Sequence, residues 1–230
     1  FEYKDFIFAI WPLKGGSPIE LDNLDHLYLI GQKLGRIHLC AQKTDFKYRP
    51  TLSLLEQFND FREQYVKIQR IEGYLLDSFN QQFDRMAPHF EKLEPLFQQC
   101  KKIRVHGDFH AGNIMIRDEE VFIVDFDDSY MGPAICDLWM LLSGEKSEHH
   151  AQLSEILEGY EIFKDFDRKE LKFVDALQTL RILQHPVWIV NRWDDPAFKK
   201  AFSDIEHTNY WQRILNLISS MFVEIEHIYR

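Results

Sequence analysis

The segment from His106 to Asn113 is the part of this chain whose residue types could carry out a reaction. It reads His-Gly-Asp-Phe-His-Ala-Gly-Asn, and Val-Asp-Phe-Asp follows at 124–127. Asp108, Asn113 and Asp125 thus have the spacing of one catalytic carboxylate and two oxygen ligands for a metal ion. Phosphoryl transfer uses such a set, because a carboxylate takes the proton of the attacking hydroxyl and a hard cation neutralises phosphate charge.

Short strands around this segment explain how the three side chains would meet. The spacing of Asp108 and Asn113 follows the H-x-D-x-x-x-x-N pattern of a kinase catalytic loop. A tight hairpin around Asp118-Glu119-Glu120 is predicted to bring Asn113 and Asp125 side by side. The predicted strands are residues 102–106, 114–117 and 121–124.

Two other interpretations of the segment fit its residues less well. Asp and Asn are common turn residues, and any one of the three alone would more often be structural; the triple, each member at a strand end, favours phosphoryl transfer. His106 and His110 flank Asp108 and suggest a transition-metal site, but the sequence places no third ligand. We therefore interpret His106 as a buried histidine that braces the loop.

The chain also resembles a known family. His106 to Ile114, V-D-F-D-D at 124–128 and G-P-A-I-C-D-L-W-M-L-L at 132–142 look like the aminoglycoside phosphotransferase and choline-kinase-like superfamily, and most closely its stress response kinase A group. The resemblance covers nearly the whole chain. Its further segments, in order, are Phe8–Pro12 with Gly15-Gly16, Leu34–His38, Tyr48–Pro50 and Asn191–Phe198.

This resemblance implies an α+β, protein-kinase-like fold, represented mainly by its helical C-terminal lobe with a catalytic β-hairpin. It implies that Asp108 is the catalytic base and that Asn113 and Asp125 hold Mg²⁺, with Asp125 also counted as catalytic. Asp137 is implied to be a structural carboxylate that ties the following helix to the catalytic loop. ATP is the implied phosphoryl donor.

The N-terminal part of the chain departs from the family pattern. Such kinases have a small lobe with a phosphate-covering loop and a strand lysine, and neither precedes Phe1; no G-x-x-x-x-G-K-[ST] loop replaces them. We expect residues 1–13 to be the last strand of the small lobe, Glu2–Trp11, with the inter-lobe linker, and residues 14–230 to be the large lobe of a longer kinase. By analogy, the linker offers backbone groups to adenine at Ala9, Ile10, Trp11 and Leu13.

Apolar periodicity predicts helices over most of the remaining chain. Asp22-Asn23 is predicted to cap the first helix. The core face of this helix carries His38, which we interpret as a core histidine hydrogen-bonded to the backbone. Further helices are predicted at 54–68, between 72 and 100, at 133–143, at 147–163, at 171–190 and from Thr208. Pro88 is expected in the first turn of a helix, and residues 167–170 are expected to form a capping box ahead of the helix at 171–190. Pro186 is expected to kink or end that helix. The apolar residues of the last helix that we expect to face the core are Ile214, Leu217, Ile218, Met221, Phe222 and Ile225.

Composition limits the possible partners. The chain is 45% hydrophobic with 19 Phe, which indicates a packed core. Its 27 basic and 37 acidic residues give a formal charge of −10, so we expect no nucleic-acid partner. No apolar run is long enough to span a membrane. Cys40, Cys100 and Cys136 form no evident framework, which predicts reduced thiols in a cytoplasmic protein, expected as a monomer.

Three functions remain open from the sequence. We favour a bacterial serine/threonine protein kinase that uses ATP and a protein hydroxyl acceptor. A small-molecule kinase for homoserine, choline or an aminoglycoside would use the same three residues, and an acidic pocket with Glu145, Asp194 and Asp195 would distinguish it. A catalytically inert binding fragment is the third possibility, because the lysine-bearing lobe is missing.

Overall fold

The chain alternates long helices with short antiparallel strands. The computed structural model describes residues 2–228 apart from 5, 9, 11 and 14. In chain order, its strands are β1 Glu2–Tyr3, β2 Phe6–Ile7, β3 Ser17–Pro18, β4 Ile103–Val105, β5 Ile114–Arg117, β6 Glu120–Ile123 and β7 Tyr130–Gly132. The helices are α1 Leu24–Ala41, α2 Leu54–Lys67, α3 Gly73–Gln99, α4 Ile135–Leu138, α5 Lys146–Glu161, α6 Val174–Val190, α7 Pro196–Ala201 and α8 Thr208–Ile228.

Two compact units share these elements. The first consists of residues 1–45, 104–129 and 137–166, and the second of residues 46–103, 130–136 and 167–230. Both units are discontinuous in sequence, so segments far apart in the chain fold together. Among the described residues, no helix combines the length and the apolar character needed to cross a bilayer.

Helices α1 and α5 form the body of the first unit. The Asn23 side chain accepts from the backbone N–H groups of Asp25 and His26 and caps α1 as predicted. The two helices approach closely because glycines lie at their contact: a Cβ built on Gly35 would lie 2.5 Å from the carbonyl oxygen of Tyr160. Such contact brings the backbones nearer than larger residues would permit.

A small antiparallel sheet of β3, β5 and β6 completes the first unit. Ile114 pairs with Ile123 and Arg117 with Glu120, so β5 and β6 form a hairpin. Asp118 and Glu119 both have positive φ, 52° and 61°, as in a two-residue turn of type I′. The predicted three-residue turn was therefore wrong by one residue, because Glu120 belongs to β6.

An aromatic core holds the second unit together. Phe58 of α2 stacks on Phe90 of α3 with ring centroids 4.3 Å apart. Tyr65 lies against Phe79 at 5.1 Å and against Trp211 of α8 at 6.2 Å. These rings pair in the tilted, edge-on and stacked arrangements that the aromatic quadrupole favours, which agrees with the packed core that the aromatic content indicated.

The N-terminal segment differs from its prediction. We expected one strand over Glu2–Trp11, but β1 and β2 are two-residue strands that pair with each other, Glu2 with Ile7 and Tyr3 with Phe6. Lys4, with φ of 54°, lies in the turn between them. A run rich in aromatic and β-branched residues predicts strand, but it does not by itself reveal where the chain reverses.

One predicted helix boundary at a proline was wrong. Helix α3 runs from Gly73 to Gln99 with Pro88 and Pro95 inside it, so Pro88 does not begin a helix. Helix α6 contains Pro186 and ends at Val190, the end that the sequence predicted. The apolar stripe of α3 is buried on both sides of Pro88, and its packing outweighs the lost backbone hydrogen bond. Its buried members are Leu75, Phe79, Phe83, Met86, Phe90, Leu93 and Phe97.

Three further helix predictions need correction. The helix expected at 133–143 is a single α-turn, α4, followed by a 3-10 turn at Trp139–Leu141. The expected capping box at 167–170 does not form, because the Glu170 carboxylate accepts from the backbone N–H of Ile135 instead; residues 168–173 form a 3-10 helix before α6. In α8, Leu217 is exposed, whereas Leu215 and Trp211 are buried.

Candidate active site

Asp108 and Asn113 are joined inside the loop that follows β4. The Asn113 side-chain nitrogen donates to the backbone carbonyl of Asp108 at 2.9 Å and lies 3.4 Å from its carboxylate Oδ2. A 3-10 turn at Ala111–Asn113 brings the two residues together, and the Asn113 N–H donates to the carbonyl of His110. Both neighbours of the Asn113 nitrogen are acceptors, so its amide oxygen must point the other way.

Asp125 is brought next to this loop by the hairpin. The Val124 N–H donates to the carbonyl of Asn113 at 3.0 Å, which places the residue after Val124 beside Asn113. Asp125 is exposed and has φ of 64°. Residues other than glycine adopt this left-handed backbone conformation at a steric cost, and Asp and Asn tolerate it best among them. A strained residue of this kind is a frequent feature of functional sites.

His110 lies directly on the Asp108 carboxylate. Its Nε2 is 3.3 Å from Asp108 Oδ2, and its Nδ1 accepts from the backbone N–H of Gly112 at 2.9 Å. Because Nδ1 accepts a hydrogen bond, the proton of a neutral ring is on Nε2, which then donates to Asp108. The Asp108 side chain is 16% exposed and that of His110 is 40% exposed, while the Oδ1 atom of Asp108 is buried.

His106 is buried and holds the two halves of the site together. Its Nε2 lies 2.9 Å from the carbonyl oxygen of Val124, and its Nδ1 accepts from the Asp108 N–H at 3.3 Å. The ring also contacts Phe109 and Phe126, with centroids at 5.5 and 4.6 Å. A single side chain thus connects the Asp108 loop to the segment that carries Asp125, which is the contact pattern expected of a bracing residue.

Asp137 anchors the start of the loop through two hydrogen bonds from the backbone of the loop. Its Oδ2 accepts from the His106 N–H at 2.8 Å and its Oδ1 from the Gly107 N–H at 2.9 Å. Asp137 is completely buried. Gly107 has φ of 86°, a conformation that glycine adopts without steric cost, and this turn directs both N–H groups at one carboxylate.

His38 extends this anchor into α1. Its Nε2 lies 2.9 Å from Asp137 Oδ2, and its Nδ1 lies 2.9 Å from the Tyr160 hydroxyl of α5. The prediction that His38 is buried is confirmed, but its partners are side chains rather than backbone groups. The reason is the Gly35 contact, which lets α5 come close enough for Tyr160 to reach the ring.

The donor set fits a magnesium ion better than a transition metal. Asn113 and Asp125 offer an amide oxygen and a carboxylate, the hard ligands that Mg²⁺ takes, and this cation keeps several positions for water and phosphate oxygens. No cluster of three or more His, Cys, Asp and Glu side chains suited to a metal occurs in the part of the chain that the structure describes. The two histidines of the loop are engaged with Asp108, Gly112 and Val124.

Other predicted site residues do not join this centre in the described structure. Ala9 and Trp11 lie outside the described residues, and the side chains of Ile10 and Leu13 are 73% and 98% exposed. The residues proposed for an acidic pocket are exposed: Asp195 caps α7 by accepting from the Ala197 N–H, and Glu145 lies at the N-terminus of α5.

Sequence reasoning missed two participants. His110 was considered only as a metal ligand, although its position two residues after Asp108 already signals a contact with that carboxylate. Tyr160 gave no signal, because its partner His38 is 122 residues away in the chain. Only the packing of α1 on α5 brings the two rings together.

Taken together, a kinase-like α+β fold, a loop carrying Asp108 and Asn113, and Asp125 beside that loop define a phosphotransferase class of protein. The chain belongs to the phosphotransferase enzyme family, whose family model matches residues 3–174. It is 38% identical over 215 residues to stress response kinase A of Escherichia coli O157:H7, with 92% of this chain and 63% of that protein covered. Serine/threonine protein kinase RdoA of Salmonella typhimurium strain LT2 is 37% identical over 211 residues, with the same coverage.

Solved structures agree on the fold. Amicoumacin kinase hAmiN, in complex with AMP-PNP, Ca²⁺ and Ami, superposes with a TM-score of 0.61 at 19% identity, covering 89% of this chain and 63% of that one. Choline kinase LicA from Streptococcus pneumoniae gives 0.57 at 15% identity, covering 84% and 63%. At such identities the likeness shows the fold alone, and it confirms the predicted α+β, kinase-like class. The chain spans about 63% of the length of the curated relatives that it matches.

Proposed function

We propose that the protein is an ATP-dependent kinase that transfers the γ-phosphoryl group to a hydroxyl, with a serine or threonine of a protein as the favoured acceptor. The observation that carries this proposal is the position of Asn113. It is hydrogen-bonded to Asp108 through its side chain and to Val124, the neighbour of Asp125, through its carbonyl. The names of the relatives at 37–38% identity support both the reaction and the acceptor.

In the proposed mechanism, Asp108 acts as the general base. Its carboxylate accepts the proton of the acceptor hydroxyl as the hydroxyl oxygen attacks the γ-phosphorus, and the bond to the leaving ADP oxygen breaks. The Nε2–H of His110 donates to Asp108 Oδ2 and holds the carboxylate in one orientation. His106 and Asp137 fix the loop, so that little reorganisation accompanies the reaction.

Asn113 and Asp125 are the residues proposed to hold Mg²⁺, which, when bound, supplies positive charge to the phosphate oxygens. The backbone of the linker at Ala9, Ile10, Trp11 and Leu13 is proposed to bind adenine. We further propose that the protein acts as a monomer in the cytoplasm. Cys40, Cys100 and Cys136 are free thiols, which suits a reducing compartment.

A small-molecule acceptor is the second candidate. The observation that favours it is the fold likeness to amicoumacin kinase and choline kinase, whose names state small-molecule acceptors. The three proposed catalytic residues would serve either acceptor equally, because the fold does not determine the substrate. Exposure of Asp194 and Asp195 leaves the proposed acidic pocket without support in the described structure.

The test is a phosphoryl-transfer assay with the full-length natural protein. We expect transfer from γ-labelled ATP to a serine- and threonine-containing protein substrate, and we expect Asp108→Asn to lower kcat by about a hundredfold or more while nucleotide binding persists. Asp118→Asn is the matched control, because it makes the same charge change at an exposed turn and should retain wild-type activity.

Homoserine, choline and an aminoglycoside are assayed in parallel. Transfer to one of them, with none to protein, would establish the second candidate instead. If Asp108→Asn turns over at the wild-type rate, Asp108 is not the base. If neither acceptor class is phosphorylated, the kinase proposal is wrong.

A further inference from the structure

A buried chain of hydrogen bonds runs from α5 to the catalytic loop. It starts at the Tyr160 hydroxyl, passes through the His38 ring and ends at the Asp137 carboxylate, which receives the N–H groups of His106 and Gly107. Every distance in it lies between 2.8 and 2.9 Å. Tyr160, His38 and Asp137 are each completely buried, so bulk water does not compete for these bonds.

The direction of the hydrogen bonds follows from the chemistry of each group. A carboxylate only accepts, so the His38 Nε2 must carry a proton and donate to Asp137. In a neutral ring, Nδ1 then has a lone pair, and the partner that faces it must donate. The group 2.9 Å away is the Tyr160 hydroxyl, which can donate.

A doubly protonated ring is the competing arrangement, with Nδ1–H donating to the Tyr160 oxygen. It would place a positive charge in a fully buried position, which is unfavourable unless that charge is needed for pairing. The Asp137 carboxylate is already stabilised by two backbone N–H donors. The neutral ring therefore satisfies every hydrogen-bonding atom of the chain without a further buried charge.

We propose that Tyr160 is a positioning residue for the catalytic loop: its hydroxyl donates to Nδ1 of the Nε2–H tautomer that Asp137 requires and so fixes the orientation of the His38 ring, and His38 thereby holds Asp137 on the loop that presents Asp108. The ring geometry supports this role, because the His38 and Tyr160 rings meet edge to face at 77°, with centroids 5.6 Å apart. The proposal rests on the proposed function only for its consequence in catalysis. The tautomer and the order of the loop are testable without activity.

Loss of the hydroxyl should act on the loop rather than on nucleotide binding. In Tyr160→Phe, the lone pair of His38 Nδ1 loses this donor, so the orientation of the ring is less well fixed and its bond to Asp137 weakens. The N–H groups of His106 and Gly107 should then open more often. Since Asp108 follows these residues directly, its position as a base becomes less defined, and kcat should fall while the KM for ATP stays the same.

The first experiment measures the tautomer of His38 by ¹⁵N NMR of the ring nitrogens in the wild-type protein. We expect a protonated Nε2 and an unprotonated Nδ1. The other neutral tautomer, or a doubly protonated ring at neutral pH, would overturn the proposal. This measurement stands even if Tyr160→Phe fails to fold.

The second experiment compares Tyr160→Phe with Tyr65→Phe. Tyr65 is a matched control, because it is equally buried and its hydroxyl makes no hydrogen bond among the described residues. Amide hydrogen exchange at His106 and Gly107 should accelerate about tenfold in Tyr160→Phe and stay unchanged in Tyr65→Phe. Equal exchange rates in the two variants would refute the positioning role.

The third readout is kinetic and uses the full-length natural protein. We expect kcat to fall about tenfold in Tyr160→Phe with an unchanged KM for ATP, at the lower end of what the loss of an outer hydrogen-bonding partner costs. An unchanged kcat would contradict the proposal. A wild-type protein that phosphorylates no acceptor would defeat the proposed function, but the exchange and NMR results would still decide the role of Tyr160.

Discussion

The side-chain nitrogen of Asn113 lies 2.9 Å from the backbone carbonyl oxygen of Asp108 and donates to it. The same nitrogen faces the Asp108 carboxylate at 3.4 Å. The nitrogen of this amide therefore holds the loop of the proposed base, and the oxygen is the atom that we propose binds the metal ion. An aspartate at this position could do only the second.

The first prediction separates these two roles by Asn113→Asp. The new carboxylate keeps oxygen ligands for Mg²⁺, but it replaces a donor by an acceptor opposite two acceptors of Asp108. We expect the free energy of unfolding to drop by about 1–3 kcal/mol, the cost of unsatisfied buried groups, and kcat to fall at least tenfold. Urea denaturation and steady-state kinetics measure the two effects.

Asn216→Asp serves as the control for that prediction. Asn216 is exposed, and its side-chain oxygen accepts from Gln212, a bond that a carboxylate can also accept. Its stability should therefore stay within about 0.5 kcal/mol of the wild type, as is usual for a surface substitution. If Asn113→Asp is equally harmless, the Asn113 nitrogen does not hold the loop.

The second prediction concerns the left-handed backbone of Asp125. Glycine adopts a φ of 64° without the steric cost that a Cβ brings. The free energy of unfolding of Asp125→Gly should therefore equal that of the wild type or exceed it by up to about 1 kcal/mol. The variant should nevertheless lose Mg²⁺-dependent nucleotide binding. Denaturant titration and calorimetry with AMP-PNP in the presence and absence of Mg²⁺ measure the two properties.

Glu119→Gly is the matched control for Asp125. Glu119 also has a positive φ, 61°, but lies in the hairpin turn, so the substitution should relieve strain without affecting nucleotide binding. Asp125→Asn adds a further comparison, since it keeps the tolerated conformation and removes only the charge. Unchanged Mg²⁺-dependent affinity in Asp125→Gly would show that Asp125 is not a metal ligand.

Local sequence patterns predicted much of this site because its residues are close in the chain. Asp108 and Asn113 lie in one loop, and a short hairpin returns the chain to Asp125, so strand and turn patterns were enough to expect the three together. The packing of α1 on α5 was not predictable in this way. The bond between His38 and Tyr160 depends on where two helices cross, which neither periodicity nor residue type specifies.

The same limit explains the errors in the fold. Pro88 has the local signature of a helix start, but α3 continues through it because residues on both sides pack into one aromatic core. Glu170 has the spacing of a capping box with Asp167, but its carboxylate binds the Ile135 N–H, a partner 35 residues away. In both cases a tertiary contact outweighed a local preference, which is the usual reason that local signals fail.

The third prediction tests the close contact between α1 and α5. Alanine is the better helix former by about 1 kcal/mol, but a Cβ at Gly35 would lie 2.5 Å from the carbonyl oxygen of Tyr160 and 3.2 Å from its carbonyl carbon. The contacted atoms of Tyr160 belong to the backbone and cannot move aside as a flexible side chain could, so the two helices must separate. We expect Gly35→Ala to lower the free energy of unfolding by about 1–3 kcal/mol, as overpacking does.

Gly73→Ala is the control for Gly35→Ala. Gly73 is the first residue of α3, and a Cβ there would have no heavy atom within 4 Å. It should be neutral or raise stability by up to about 1 kcal/mol, since alanine loses less conformational entropy on folding. Urea denaturation of both variants decides the matter: if Gly35→Ala is as stable as Gly73→Ala, the two helices do not depend on this contact.

The last prediction concerns stability at alkaline pH. Burial raises the pKa of Tyr65 well above its usual value of 10.0, with a smaller contribution from Tyr210, and burial raises the pKa of Tyr210 to about 12. Above pH 10 the unfolded chain loses these protons while the folded protein retains them. The unfolded state then binds fewer protons than the native state, so stability must fall as pH rises. Below pH 10 both states are protonated, and the contribution of the tyrosines is complete.

Tyr65→Phe removes the more deeply buried of the two hydroxyls and should reduce this loss. We compare the free energy of unfolding at pH 8 with that at pH 11, by urea denaturation of the wild type and of Tyr65→Phe. The drop between the two pH values should be smaller in the variant. Tyr74→Phe is the control, because Tyr74 is 59% exposed, and its drop should equal that of the wild type. If all three proteins lose the same stability, burial of the Tyr65 hydroxyl does not govern the alkaline limit of the fold.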